Sequence, residues 1–217
     1  MNINQACEAF KKLLEEQQAR IANMNTEKTD FSKKACVTIG VVDGDGIGPV
    51  IMDAAKRILG HLLADEIIAG KVELKQIEGL TIENRIALGK PVPEDVLEQI
   101  KCCDVLLKGP TTTPMGGTME SANVTLRREL DLYANVRPVA IPEKGIDWIF
   151  FRENTEGGYA VGSSGFNVTD DLAVDFTITT KQGSDRIARL AYDYAKKNGF
   201  NRVSLVTKAN VIKTTDG

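Results

Sequence analysis

The chain is predicted to fold as an α/β protein, and three observations carry that prediction. Short apolar runs of strand length alternate with longer amphipathic runs of helical period, the pattern of a sheet flanked by helices. Two apolar runs end directly in polar loops, Arg152-Glu153-Asn154-Thr155-Glu156-Gly157-Gly158-Tyr159 and Thr207-Lys208-Ala209-Asn210. Open α/β sheets bind their ligands at such strand ends. A glycine-rich turn, Asp43-Gly44-Asp45-Gly46-Ile47-Gly48-Pro49, joins the first strand to the first helix of the alternating part. It matches the dinucleotide fingerprint only in part: Gly44 and Gly46 fit G-x-G-x-x-G, but Pro49 takes the third glycine's place and no acidic residue clearly ends the next strand. The turn is read as a strand-to-helix connection whose glycines adopt unusual backbone angles, not as a conventional Rossmann site.

Each element follows from local pattern. Ala6, Phe10, Leu13, Leu14 and Ile21 recur at roughly helical spacing among Lys, Glu and Gln. Residues 1–34 are therefore an N-terminal helical extension, docked on the body or a neighbouring subunit, with a polar linker over 23–34. Cys36–Val42 is a buried strand, Gly48–Leu63 a helix and Lys71–Ile77 a second strand. Pro93 opens a helix to Cys102, since proline is tolerated where the first N–H has no helical partner. Val105–Lys108 is a short buried strand, Ala122–Leu130 a helix, and Asn135–Ile141 and Trp148–Phe151 are strands. Val174–Thr180 alternates as a strand. Gly183–Asn198 is an amphipathic helix ended by Gly199, and Val203–Thr207 a further strand.

Composition narrows the function. A net charge of −3 argues against nucleic-acid and anionic-membrane partners, although a local basic pocket is compatible with it. Cys7, Cys36, Cys102 and Cys103 follow no metal-ligand spacing and suit small core positions in a reducing compartment. No run approaches a membrane span and the N-terminus lacks a secretory apolar core, so a cytoplasmic location is expected. His61, the one histidine, sits mid-helix in an apolar stretch and is read as structural.

The chemistry-bearing residues cluster at strand ends. Thr111, Thr112 and Thr113 lie between Pro110 and Pro114, a stiff polar lip of hydroxyls. Ser121 fits a helix N-cap, where free backbone N–H groups favour an anion. Asn123 and Arg127 lie four residues apart on one helix face. Arg137 and Arg152 sit at or near strand ends, and with Arg127 they supply forked donors for carboxylates. A polyanionic acid is the ligand this set suggests. Tyr159 and Lys208 are candidate proton donors and acceptors, with ordinary pKa values near 10 that packed arginines or a metal would lower.

The segments GDGIGP, LKGPTTTP, SANVTLRRELDLYANVRP, FRENTEGGYA and TKANVIK occur in this order between about Ala35 and Gly217. In them the chain resembles the isocitrate/isopropylmalate dehydrogenase family of metal-dependent decarboxylating dehydrogenases. The resemblance implies the isopropylmalate dehydrogenase-like two-domain α/β fold, with a non-Rossmann nucleotide site. It implies a large domain begun by 35–132, a small domain from 133–156 and 181–217, and a clasp-like segment at a dimer interface over 157–180. By the same resemblance Ser121, Asn123, Arg127, Arg137 and Arg152 bind substrate carboxylates, and Thr112 and Thr113 lie near the nicotinamide of NAD or NADP. Tyr159 gives a proton to the enolate left by decarboxylation. Lys208 assists removal of the hydroxyl proton in the partner subunit's site, which implies a homodimer or higher oligomer. The Mg2+ or Mn2+ ligands and the adenosine-binding loop are expected downstream of residue 217, so the sequence is expected to be the N-terminal portion of a longer subunit, inactive alone.

Ser121 and Asn123 favour isocitrate, because burying a hydroxyl and an amide against an alkyl group would leave them unpaired at about 1–3 kcal/mol each. Homoisocitrate or 3-isopropylmalate as substrate, or a non-catalytic regulatory subunit, are the alternatives. Val50 stands where the family usually has Glu, and residues 1–34 have no counterpart there.

Overall fold

Strand β1 (Val37–Val42) becomes steadily more buried along its length, with Val41 and Val42 only 1% and 2% exposed. It lies at the centre of a parallel sheet, in the order β2-β1-β3, with β2 (Val72–Gln76) and β3 (Val105–Lys108). Ile39 pairs with Leu74 on one side and Val105 on the other. This computed structural model describes residues 3–24, 29–115, 119–162 and 165–217. They form two compact units, residues 29–126 and residues 3–24 with 127–217. Residues 25–28 of the expected linker lie outside the described residues; Phe31–Lys33 forms one 3-10 turn.

In the first unit, α2 (Gly48–Leu62), α3 (Ala64–Ile68), α4 (Ile82–Leu88) and α5 (Glu94–Lys101) connect and flank the sheet. Met52, Ile77, Leu80, Val92, Val96 and Ile100 pack with the β1 valines as the core. Helix α5 has Glu94 and Asp95 in its first turn and Lys101 in its last, both favourable to the helix dipole. Helix α4 was not expected from the pattern. Thr81 caps it by accepting a hydrogen bond from the Asn84 N–H, and Gly89 ends it at φ 62°.

The chain passes from β1 to β2 on one side and then crosses to β3 on the other, so the loops after β1 and β3 meet at the position where such sheets have a crevice. Here backbone fills it: Gly109 N–H donates to Val42 O at 2.8 Å, and Asp45 N–H to Pro110 O at 2.7 Å. A Cβ on Gly44 would stand 2.1 Å from Pro110 O, and one on Gly109 would stand 2.0 Å from Asp43 O. These glycines let two loops touch. That explains a glycine-rich turn without a dinucleotide fingerprint.

Helix α6 (Ala122–Glu129) carries the division between the units. In the second unit β4 (Ala134–Ile141) and β5 (Ile146–Glu153) form an antiparallel ribbon from Ala134↔Glu153 to Ile141↔Ile146. Helix α7 (Lys181–Lys197) starts at Thr180, whose hydroxyl accepts from the Gly183 N–H, and sets Tyr194 against Phe151 with ring centres 5.3 Å apart. Strands β6 (Phe166–Thr169) and β7 (Leu172–Val174) form a short hairpin, and α8 (Lys213–Asp216) is a single turn.

Three expectations are corrected in this unit. Val174–Thr180 is not a continuous strand: Val174 ends β7, Phe176 stacks on Phe10 and packs at a tilt against Phe166, and Ile178 alone makes a bridge, to Gly157. Alternating apolar residues here serve ring packing instead of a ladder. Val203–Thr207 forms no strand among the described residues, with Leu205 and Val206 87% and 91% exposed, because strand propensity cannot supply a neighbouring backbone. The N-terminal helix exists as α1 (Ile3–Ala22), but its buried residues are Leu13 and Gln17, while Leu14 and Ile21 are exposed. It packs on a polar loop, which needs donors and not a purely apolar stripe.

Gly44→Ala is expected to destabilise the protein by about 1–3 kcal/mol, since it meets Pro110 O and strains φ 77°. Gly60→Ala, inside α2 with nothing within 4 Å of the new Cβ, is expected to stabilise by about 0.5–1 kcal/mol. Urea unfolding of the two variants checks the contrast.

Candidate functional site

In the first unit the candidate residues stand on the loop after β3 and at the start of α6. Asp45 and Arg85 hold that loop by its backbone. Asp45 Oδ2 accepts from Thr112 N–H at 2.8 Å, and Arg85 Nη1 donates to Thr112 O at 2.9 Å. The other Asp45 oxygen accepts from Ile82 N–H at 2.7 Å, and Arg85 Nε donates to Pro91 O at 2.8 Å. The two side chains pair at 3.6 Å and are almost wholly buried. Burial pushes the Arg85 guanidinium below its ordinary pKa, and the charge of Asp45 opposes that shift. Thr112 and Thr113 are left with exposed side chains on a tethered backbone. Thr111 Oγ1 donates to Asn123 Oδ1 at 3.4 Å, joining the lip to the first turn of α6. Ser121 immediately precedes that helix, and its carbonyl accepts from Thr125 N–H as an N-cap carbonyl does.

In the second unit the ribbon presents the arginines. Asn135 pairs with Arg152 across the ladder and Arg137 with Phe150. Residues two apart in a strand, and residues directly opposed, share a face. Asn135, Arg137 and Arg152 therefore lie on one face of the ribbon, and Arg137 Nε donates to Asn135 Oδ1 at 3.0 Å. Arg152 Nη2 donates to the Tyr159 hydroxyl, and its guanidinium carbon lies 5.0 Å from the centre of that ring. A guanidinium and a phenol thus meet at the end of β5.

The loop between them is buried although polar: Asn154, Thr155 and Glu156 are 5–6% exposed. Thr155 and Glu156 are tied individually. The Glu153 carboxylate accepts from Thr155 N–H, Thr155 Oγ1 and Glu156 N–H. Arg186 of α7 pairs with Asp131 in two hydrogen bonds of 2.6 and 2.9 Å, donates to Thr155 Oγ1 at 3.0 Å, and lies 4.3 Å from the centre of the Tyr133 ring. Gly157 turns the chain at φ 65°, and Tyr159 N–H returns to Glu156 O at 3.2 Å.

Arg127 is half-buried at the last turn of α6. Lys208 stands apart: its side chain is exposed and meets neither Tyr159 nor an arginine among the described residues. Its N–H, more than the nearby threonine hydroxyls, holds the Asp216 carboxyl below the ordinary aspartate value.

Among the described residues, no three His, Cys, Asp or Glu side chains converge as a metal site. Asp45 is occupied as above, and Asp43 pairs with Lys56 at 3.1 Å and accepts from Gln76 at 3.1 Å. Neither offers a divalent cation a free carboxylate.

Sequence reasoning missed Arg85 and Arg186. Arg186 carried a signal, lying three residues after Gly183 and eight before Tyr194 on the face of α7 turned to the core. A buried arginine needs an acid beside it, and half-buried Asp131 is that acid.

The model of the isocitrate/isopropylmalate dehydrogenase family matches residues 38–217. A homoisocitrate dehydrogenase of Methanocaldococcus jannaschii is 36% identical over 196 residues, which are 82% of this chain and 53% of that protein. Regulatory subunit 3 of the mitochondrial NAD isocitrate dehydrogenase of Arabidopsis thaliana is 34% identical over 186 residues, 83% of this chain and 47% of its own. The crystal structure of isocitrate dehydrogenase from Methylococcus capsulatus superposes with a TM-score of 0.68 at 36% identity, over 83% of this chain and 54% of that one. The chain spans about half the length of these relatives.

Arg85→Met is expected to cost about 3–5 kcal/mol of stability by leaving the Asp45 carboxylate buried without its counter-charge. Adding Asp45→Asn is expected to restore part of the loss, as read by denaturant unfolding of the single and double variants.

Proposed function

For a chain that belongs to the isocitrate/isopropylmalate dehydrogenase family, we propose that the protein contributes to NAD(P)-dependent oxidative decarboxylation of isocitrate to 2-oxoglutarate. The observation that carries this reading is the Arg152–Tyr159 contact at the end of β5, beside Arg137 and Asn135 on the same ribbon face.

In this reading Arg127, Arg137 and Arg152 take the substrate carboxylates by charge-assisted hydrogen bonds. Ser121 and Asn123 hydrogen-bond the carboxylate that distinguishes isocitrate from an alkyl-bearing acid. When bound beside Thr112 and Thr113, NAD or NADP accepts the hydride from the hydroxyl carbon. Lys208 takes the hydroxyl proton, in the active site of a partner copy, which makes a homodimer or larger oligomer part of the proposal. Tyr159, its hydroxyl oriented by Arg152, delivers a proton to the carbon that has lost CO2. A bound Mg2+ or Mn2+ would polarise the hydroxyl and stabilise the negative charge of the enolate. No helix among the described residues is long and apolar enough to cross a membrane.

Similarity to an Arabidopsis regulatory subunit favours a second reading, a non-catalytic subunit beside an active one. One experiment separates these. The native polypeptide is expected to reduce NAD or NADP with isocitrate and a divalent metal, and to prefer isocitrate over homoisocitrate and 3-isopropylmalate. Turnover only in the presence of a separate catalytic subunit would establish the second reading, and preference for another acid would displace isocitrate. Tyr159→Phe is expected to lower kcat by about 10²–10⁴-fold with KM nearly unchanged. Asn123→Leu is expected to depress kcat/KM for isocitrate more than for 3-isopropylmalate, by about 10-fold or more.

A further inference from the structure

Helix α1 lies outside the stretch matched by the family model, which begins at residue 38. Its inward residues nevertheless contact both ends of the turn that carries Tyr159. Arg20 Nη2 meets Glu156 Oε1 at 3.2 Å, with side-chain exposures of 19% and 4%. Gln17 Nε2 donates to the carbonyl of Ala160, the residue after Tyr159, at 3.4 Å. Gln17 and Arg20 are joined, since Arg20 Nε donates to Gln17 Oε1 at 2.7 Å. Phe10, Leu13, Gln17 and Arg20 are spaced three, four and three residues apart, so one helix face carries all of these contacts. Phe10 stacks on Phe176 with ring centres 5.0 Å apart, anchoring the far end of that face.

We propose that α1 is a strap over the Tyr159 turn and that Arg20 is a positioning residue acting on Tyr159 through Glu156. The buried Glu156 carboxylate otherwise has neutral donors, the Thr180 N–H at 2.8 Å and the Thr180 hydroxyl at 2.6 Å. Arg20 is its counter-charge. The carboxylate is wedged against Gly183 at the start of α7, where a Cβ would come within 2.3 Å of it, so it cannot shift toward the helix. Its own carbonyl accepts the Tyr159 N–H at 3.2 Å. Holding the Glu156 side chain therefore holds the backbone turn that aims the Tyr159 hydroxyl at Arg152. Gln17 holds the exit of the same turn. Without the strap, a buried carboxylate would lack its charged partner, and the turn would relax to hydrate it.

The bracing stands on geometry alone; the catalytic consequence rests on the role proposed for Tyr159. The test is amide hydrogen exchange of the native polypeptide with Arg20→Ala, Arg20→Lys and Lys12→Ala, the last an exposed position of α1. Arg20→Ala is expected to raise exchange at Gly157–Val161 about tenfold or more while leaving β4 and β5 protected, Arg20→Lys to retain most protection, and Lys12→Ala to change nothing. Unchanged protection of that turn in Arg20→Ala, or an equal loss across β4 and β5, would overturn the strap. In turnover assays Arg20→Ala is expected to lower kcat about tenfold with KM within about twofold, and to have no further effect in a Tyr159→Phe background. An additive loss in that background would overturn the route through Tyr159. If Tyr159→Phe alone leaves turnover intact, the functional reading fails while the exchange data still decide the bracing.

Discussion

Each unit holds a polar loop at the end of a strand against buried polar side chains, and the buried part of such a loop is conditional. Its amides, carbonyls and side chains must find partners inside the protein, because water no longer supplies them. In each unit an arginine paired with an aspartate supplies part of these partners. In one unit Arg85 reaches the carbonyls of Pro91 and Thr112 while Asp45 takes the amides of Ile82 and Thr112. In the other Arg186 reaches Thr155 while Asp131 takes both of its terminal nitrogens. A guanidinium suits this role because its donors diverge in a rigid plane and can serve an acid and a loop at once.

The division of labour that results is the same in both units. Backbone and small side chains are fixed by buried partners, and the hydroxyls of Thr112, Thr113 and Tyr159 stand at the tips. Thr112 is held at both its N–H and its C=O, and Tyr159 follows a turn in which Thr155 and Glu156 are tied to Glu153, Arg186 and Thr180, and Asn154 to the carbonyl of Tyr133. Such tips have little conformational freedom left to lose, since the supporting bonds already exist. Breaking one supporting partner is costly for the same reason: a buried ion left alone has no solvent to fall back on.

The arginine-bearing ribbon depends on register as well. A shift of one residue would turn Arg152 to the opposite face from Asn135 and Arg137. Pairing from Ala134↔Glu153 to Ile141↔Ile146, closed by Gly145 at φ 62°, prevents it, and Phe151 packing on Tyr194 marks which face is turned inward.

Much of this was legible in the residues. Apolar period marked β1, β2, β3, the ribbon and α7, and the glycines of the Gly44–Pro49 turn find a structural reason in backbone contact between two loops. Helix α4 escaped because it is one short capped segment between turns, too brief to show a period. The stripe on α1 was misread because Gln17 and Arg20 look like solvent-facing residues until the buried Glu156 and Ala160 carbonyl are known.

By itself, then, the sequence determined the α/β class, most of the elements, and which residue types stand at strand ends, because period, turn chemistry and motif spacing are local properties. The tertiary structure decided which of them meet: Arg152 with Tyr159, Thr111 with Asn123, Arg20 with Glu156 across 136 residues. It also decided that Val203–Thr207 finds no ladder among the described residues despite its strand-like composition. Pairing, burial and counter-charge are relations between distant parts of the chain, and no window of sequence contains both partners.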